Sequence, residues 1–452
     1  VKQTGVPVPQ AIYGFQLQKV TALEQKLLDD PKEKEVIAIF KQRADALGEK
    51  LKDPAAALAA DRTAAQAKLD ELRNTNAPQA QIQAAERALA SIPADEAAAK
   101  AQWAKDKAAN EARAKPLAGM PRHAQVFAGN PNGTEAEQKA FDVSRRNFLA
   151  LIFCLMVGTA ALPHILMRYY TTPSVREARK SVTWSLFFIF LLYFTAPSLA
   201  VLVKYEVLSG LVGTPFDQLP GWIAAWTAVD PALLSVSDIN GDGIFQLGEM
   251  RIGGDIIVLA TPAIGGLPFV ISGMVAAGGL AAALSTADGL LLTIANALSH
   301  DLYYKMLDPN ASTARRVAVS KALLLVVALL AAWVTAQKPA DILFLVSAAF
   351  SFAASAFFPA LVLGIFWKRA NKWGATLGMI AGLGITFYYM ATTQPWLRGV
   401  FGVTSPVQLW WDIQPIAAGL FGVPLGFAVI IIVSLLTPAP RPDTQTLVEH
   451  VR

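Results

Sequence analysis

The chain has 452 residues, of which 54% are AVILMFWYC and 16% are charged, with a mean hydropathy of +0.40. An ordinary soluble protein is not this apolar. One cysteine (Cys154) excludes an internal disulfide and a Cys-based zinc site, and a net charge of +5 spread along the chain gives no argument for nucleic acid.

The average conceals a division. Residues 1–145 carry 21 Lys and Arg and 19 Asp and Glu, more than half of the charged side chains in a third of the length. The chain starts at Val1 with neither an initiator methionine nor a charged-then-apolar leader, and its first long apolar run opens near Phe148. The expectation is a processed chain or the C-terminal part of a longer one. Four scattered histidines (His123, His164, His300 and His450) argue against a His-rich metal centre.

From Gln18 to about Ala114 the composition is Ala, Lys, Glu, Gln, Asp and Leu, with apolar residues recurring at threes and fours (Val20, Leu23, Leu27; Val36, Ile39, Phe40). That period predicts amphipathic helices, and Pro31, Pro54, Pro78 and Pro93 mark the joints between them. The expected structure is a solvated helical hairpin or coiled-coil insert over 1–145. It offers no His–carboxylate cluster and no phosphate-cradling glycine loop.

After Arg146 seven apolar segments follow: 148–166, 182–203, 267–298, 317–336, 342–367, 373–390 and 416–436. Each is close to the ~20 residues that cross a bilayer. Lys and Arg sort between their connections. Arg168, Arg176, Arg179, Lys180, Lys305, Arg315, Arg316, Lys321, Lys368, Arg369, Lys372, Arg441 and Arg452 fall on one side; Arg146, Lys204, Arg251, Lys338 and Arg398 fall on the other. The richer side is expected in the cytoplasm of an inner-membrane protein, with the insert periplasmic or extracellular and the tail 438–452 cytoplasmic.

Within the spans, 274–289 and Gly374-xxx-Gly378-xxx-Gly382 have the small-residue spacing of closely packed helices. Pro163, Pro197, Pro359 and Pro424 are expected to break or kink their spans. Ser285, Thr286 and Asp288 concentrate hard oxygen donors in the middle of an apolar span, which suits Na⁺ or another hard cation. The alternative is that the hydroxyls bond back to the preceding turn and Asp288 pairs with a buried partner.

The external connection 204–266 contains DINGDGIFQLGE, 238–249, which fits an EF-hand-type calcium loop. In that reading Asp238, Asn240, Asp242, the Ile244 carbonyl and Glu249 are the ligands. Gly243 would permit the sharp turn, and Phe245 is the apolar packing position. Gly248 and Gly253-Gly254 leave little room for an exiting helix, and the alternative is a polar Asx/Gly turn.

Three stretches, FLALIFCLMVGTAALPHILMRYYTT (148–172), AAALSTADGLLLTIANALSHDLYYK (281–305) and SAAFSFAASAFFPALVLGIFWKRANKWGATLGMIAG (347–382), resemble the sodium:solute symporter family. The nearest likeness is to its acetate-permease-like branch. The resemblance implies an all-α membrane protein with the inverted-repeat transporter fold named for LeuT. The first five spans here would be its second repeat, followed by two extra helices, and the first repeat would lie upstream. It implies a Na⁺ site at Ala282 (carbonyl), Ser285 and Thr286, and a substrate pocket at Thr159 and Pro163 beside a helix break. Asp288 departs from the pattern of proline permeases and would serve protons or structure. The implied activity is Na⁺-coupled symport of a small monocarboxylate such as acetate, with no enzyme chemistry. The rival readings are a transporter-like sensor whose insert binds a protein partner of unknown identity, and a passive channel.

Overall fold

The structure is a computed structural model, and it describes residues 14–75, 77–123, 125–167, 172–337 and 339–451. The first thirteen residues of the insert, the end of the 148–172 stretch, and Arg168, Lys338 and Arg452 of the charge sorting lie outside the described residues. The chain divides into two compact units. One comprises residues 1–126 and 191–273, the other 127–190 and 274–452.

The first unit opens with five helices: α1 (Gly14–Asp29), α2 (Pro31–Lys50), α3 (Pro54–Asn74), α4 (Gln79–Ala90) and α5 (Glu96–Arg113). Proline does at their starts what the sequence leads one to expect. Pro31 and Pro54 sit in the first turns of α2 and α3, where a missing N–H costs nothing. Side-chain carboxylates cap these two ends and the start of α5: Asp30 accepts from the Lys32 amide, Asp53 from Ala56 and Asp95 from Ala98. Leu58, Ala99 and Trp103 form a small core among these helices.

The larger core of this unit is not confined to the helical stretch. Leu17, Val20 and Leu27 of α1 pack with Val201, Val207 and Leu208 near the end of α8 (Val175–Gly210), and with Ile223, Leu234, Phe245 and Leu247 from the connection that follows. That connection holds α9 (Gly221–Val229), a two-stranded antiparallel ribbon of β1 (Leu234–Val236) and β2 (Met250–Ile252), and α10 (Ile257–Ile264). Ser235 faces Arg251 in its register.

The second unit contains α6 (Glu135–Ala161), α7 (Pro163–Leu166) and the first half of α8. It continues with most of α11 (Phe269–Asn296) and a π-helical stretch over Ala297–Leu307. Then come α12 (Thr313–Ala336), α13 (Ile342–Phe366), α14 (Lys372–Thr393), α15 (Pro395–Val400), α16 (Gly419–Leu436) and α17 (Pro442–Val451). A capping box starts α6, where Thr134 and Glu137 satisfy each other's amides.

Helices α6, α13, α14 and α16 pack together. Glycines set how closely: a Cβ on Gly378 would run into Ile430 of α16, and one on Gly382 into the Ser355 and Gly422 carbonyls. By contrast α12 has no buried residue among those described, and in α11 only Ala295 is buried.

Among the described residues seven helices are long and apolar enough to cross a membrane: Glu135–Leu166, Val175–Gly210, Phe269–Leu307, Thr313–Ala336, Ile342–Phe366, Lys372–Thr393 and Pro415–Leu436. They coincide with the seven apolar segments of the sequence. The protein is an all-helical integral membrane protein with one short β-ribbon.

Candidate functional site

Ala282, Ser285 and Thr286 lie on α11 at relative spacings of three and four, so one face of the helix presents all three. The Thr286 hydroxyl donates to the Ala282 carbonyl at 3.1 Å, the back-bond that a threonine in an apolar helix makes when no other acceptor is offered. That bond uses the hydroxyl proton and leaves oxygen lone pairs on both groups. No hydrogen bond or ion pair engages Ser285 or Asp288 among the described residues, and all four positions are exposed. Asp288 follows Ser285 by one turn but is rotated well away from Thr286, so the carboxylate neighbours one hydroxyl and not the other.

Thr159 and Pro163 flank a real interruption. Helix α6 ends at Ala161, Leu162 is extended (φ −65°, ψ 119°), and Pro163 starts α7. Pro163 brings no N–H for the Thr159 carbonyl four residues earlier, so that oxygen loses its helical partner. The Thr159 hydroxyl bonds back to the Leu155 carbonyl at 2.7 Å and is exposed. The other three prolines behave differently. Pro197, Pro359 and Pro424 lie inside helices that continue past them, so the sequence expectation of a break applies to Pro163 alone.

The loop 238–249 has the turn geometry its glycines permit: Gly241 and Gly243 take φ of +76° and +71°. The calcium expectation for Asp238, Asn240, Asp242, Ile244 and Glu249 is not supported. Among the described residues no three His, Cys, Asp or Glu side chains come together in a way that could hold a metal ion. Glu249 is 1% exposed, and its carboxylate accepts from the Ile239 amide at 2.6 Å and the Gln246 amide at 2.9 Å, closing a capping box on Gln246. Burial pushes its pKa up, against those two amide bonds. The Asp242 carboxylate instead holds Lys32, whose ammonium at 2.7 Å brings its pKa down to about 2.

One buried polar cluster escaped the reading of the sequence. Ser351 donates to the Ile416 carbonyl (2.7 Å), Ser355 to the Ser351 carbonyl (2.8 Å), and Thr386 to the Ser355 hydroxyl (2.7 Å). Tyr389, fully buried, donates to the Ile413 carbonyl at 2.5 Å. The signal was present, since Ser347, Ser351 and Ser355 repeat at four-residue spacing, but apolar neighbours hid it. These hydroxyls bond helices α13 and α14 to each other and to the stretch 413–416 that leads into α16, a packing role.

Comparison with known proteins gives a family match over the stretch that holds α11. Residues 252–382 match the sodium:solute symporter family, a span that contains Ala282, Ser285, Thr286 and Asp288. The chain is 51% identical over 449 residues to an uncharacterized symporter of Cupriavidus necator, covering 98% of this chain and 64% of that protein. It is 30% identical over 283 residues to a monocarboxylic acid transporter of Corynebacterium glutamicum, covering 62% of this chain and 45% of that one. The chain thus spans about two thirds and about half of these relatives. No solved structure matches. Residues 252–382 thus carry the match to the sodium:solute symporter family, and the likeness to a monocarboxylic acid transporter fits its acetate-permease-like branch.

Proposed function

We propose that this chain is part of a secondary transporter that couples Na⁺ entry to uptake of a small monocarboxylate such as acetate. The observation that carries the reading is the exposed oxygen face of Ala282, Ser285 and Thr286 on an otherwise apolar helix, inside the stretch that matches the family. Na⁺ takes hard oxygen donors, and a back-bonded hydroxyl still offers its lone pairs. The name of the Corynebacterium relative supports a monocarboxylate as the solute.

The break at Leu162–Pro163 supports the inverted-repeat fold named for LeuT, in which solute and ion sit near the bilayer midplane between discontinuous helices. In this reading Thr159 and Pro163 line the solute pocket, and α6 to α13 form the second repeat. The protein resides in the inner membrane with residues 1–145 and 204–266 outside and 438–452 in the cytoplasm. Na⁺ binding favours one arrangement of the helices and so raises affinity for the solute, a coupling free energy without covalent chemistry.

Uptake of labelled acetate into vesicles holding the full-length protein tests this. An inward Na⁺ gradient should drive accumulation. Ser285→Ala and Thr286→Ala should each raise the Na⁺ concentration for half-maximal uptake about tenfold, the effect of ~1.4 kcal/mol lost with one donor. Acetate uptake indifferent to Na⁺, or unchanged by both substitutions, would sink the assignment.

A further inference from the structure

We infer that the EF-hand-like loop 238–249 is a socket for the first turn of α2, in which the Lys32 ammonium stands where a metal ion would. The loop then keeps its shape without a divalent cation and holds the helical insert against the chain between α8 and α11. The inference is independent of what the protein transports.

The loop's own side chains close its turns. Asp238 accepts from the Gly241 and Gly243 amides at 2.7 and 2.9 Å, Asn240 from Asp242 at 3.2 Å, and Asp242 from Ile244 at 2.8 Å. These bonds shape the backbone but leave Asp238, Asp242 and Glu249 within one short loop. What such a loop still lacks is positive charge. Here it comes from 210 positions away in sequence, as the Lys32 ammonium donates to Asp242 Oδ2 at 2.7 Å, with Gln246 Nε2 at 3.0 Å on the same oxygen. A cation arriving at Asp242 would have to displace that ammonium.

The next residue of α2 makes the contact two-handed. Glu33, 4% exposed, accepts from the adjacent Leu247 and Gly248 amides at 2.5 and 3.3 Å. Two successive amides converging on one carboxylate form an anion nest, and the chain fills it with its own glutamate. Gly248 is required for the approach, since a Cβ there would sit 2.8 Å from Val36 Cγ1. From the other side Arg113 of α5 donates to the Gly248 carbonyl, with its guanidinium 4.1 Å from the centre of the Phe40 ring. The glycine that argues against an exiting EF-hand helix therefore has a positive role as the point where α2 touches the loop.

Amide hydrogen exchange over 238–252 in the purified full-length protein decides the matter. Exchange in the wild type should be the same in millimolar Ca²⁺ as in excess chelator. Lys32→Gln should speed it about two- to fivefold, as loss of a partly exposed ion pair does. Glu33→Gln should speed it about tenfold or more, because a buried charged acceptor of two amides is lost. Helices α3 and α4 should exchange alike in every variant. Slower wild-type exchange in Ca²⁺ would overturn the inference, as would exchange left unchanged by both single substitutions.

Discussion

At the scale of single residues, Glu24 shows why the helical insert is held by more than apolar packing. Its carboxylate is 2% exposed, and it accepts from Lys204 Nζ at 2.5 Å and from the His123 amide at 3.0 Å. Lys204 lies near the end of α8 and donates also to the Pro121 carbonyl at 3.1 Å, so one ammonium joins three stretches of chain. A charge so deeply buried persists only because it is paired. His123 shares this pocket, and its Nε2 has no hydrogen-bond partner among the described residues. Burial first, and the Lys204 ammonium second, hold its pKa below the usual 6.5, with Glu24 opposing. A base with a depressed folded pKa is protonated earlier in the unfolded chain. The stability from neutral His123 is therefore complete above pH 6.5 and is lost as the pH falls below it. Thermal unfolding of the purified protein between pH 8 and 5.5 should show this loss, at no more than the one-proton limit of about 1.4 kcal/mol per pH unit. His123→Gln should flatten the decline. An equally steep decline in the variant would show that other groups cause it.

At the scale of elements, the glycine repeat of α14 predicts a contrast between two substitutions two residues apart. A Cβ at Gly382 would meet the Ser355 and Gly422 carbonyls, whereas at Gly384 nothing lies within 4 Å. Gly382→Ala should cost about 1–3 kcal/mol, as overpacking does, and Gly384→Ala should be neutral or slightly stabilising through helix propensity. Equal melting temperatures for the two in detergent would contradict the packing described. The repeat was readable in the sequence because small-residue spacing has a single geometric consequence, close approach of helices. The seven spans were readable for a similar reason, since length and hydropathy suffice. Proline was half readable: the sequence identifies where an amide is missing, but whether the helix stops depends on its neighbours. Pro163 ends a helix and Pro359 does not. The calcium-like loop marks the limit most sharply. Its motif is local and fits at every diagnostic position, yet Lys32, which engages Asp242, comes from another helix, and no local pattern encodes that contact. The face on α11 stood out because Ser285, Thr286 and Asp288 are polar in apolar surroundings. The missing partners of Ser285 could be learned only from the fold.

At the scale of the whole molecule, two lines of reasoning about sidedness meet. Residues of α1 share a core with the end of α8 and with the connection 211–264, so the helical insert and that connection must lie on the same side of any membrane. Between them the chain runs through α6–α7 and α8, two of the seven candidate spans. Two crossings return a chain to the side it left, so the shared core and the count of spans agree. Had only one of these helices crossed, the core that α1 shares with the end of α8 could not form. The core says only that the two stretches lie together; in the topology proposed above, from the distribution of Lys and Arg, that side faces away from the cytoplasm. Cys154, the one cysteine of this sequence, is buried in α6, and the unsubstituted protein serves as the labelling control for an introduced thiol. Ala80→Cys, exposed on α4, should therefore react with a membrane-impermeant maleimide on spheroplasts with the outer membrane removed. Thr444→Cys, exposed on α17, should react only after the cells are opened. Labelling of both before lysis would place an even number of spans between the insert and the tail. Labelling of Thr444→Cys alone would reverse the orientation and put the insert and its loop in the cytoplasm.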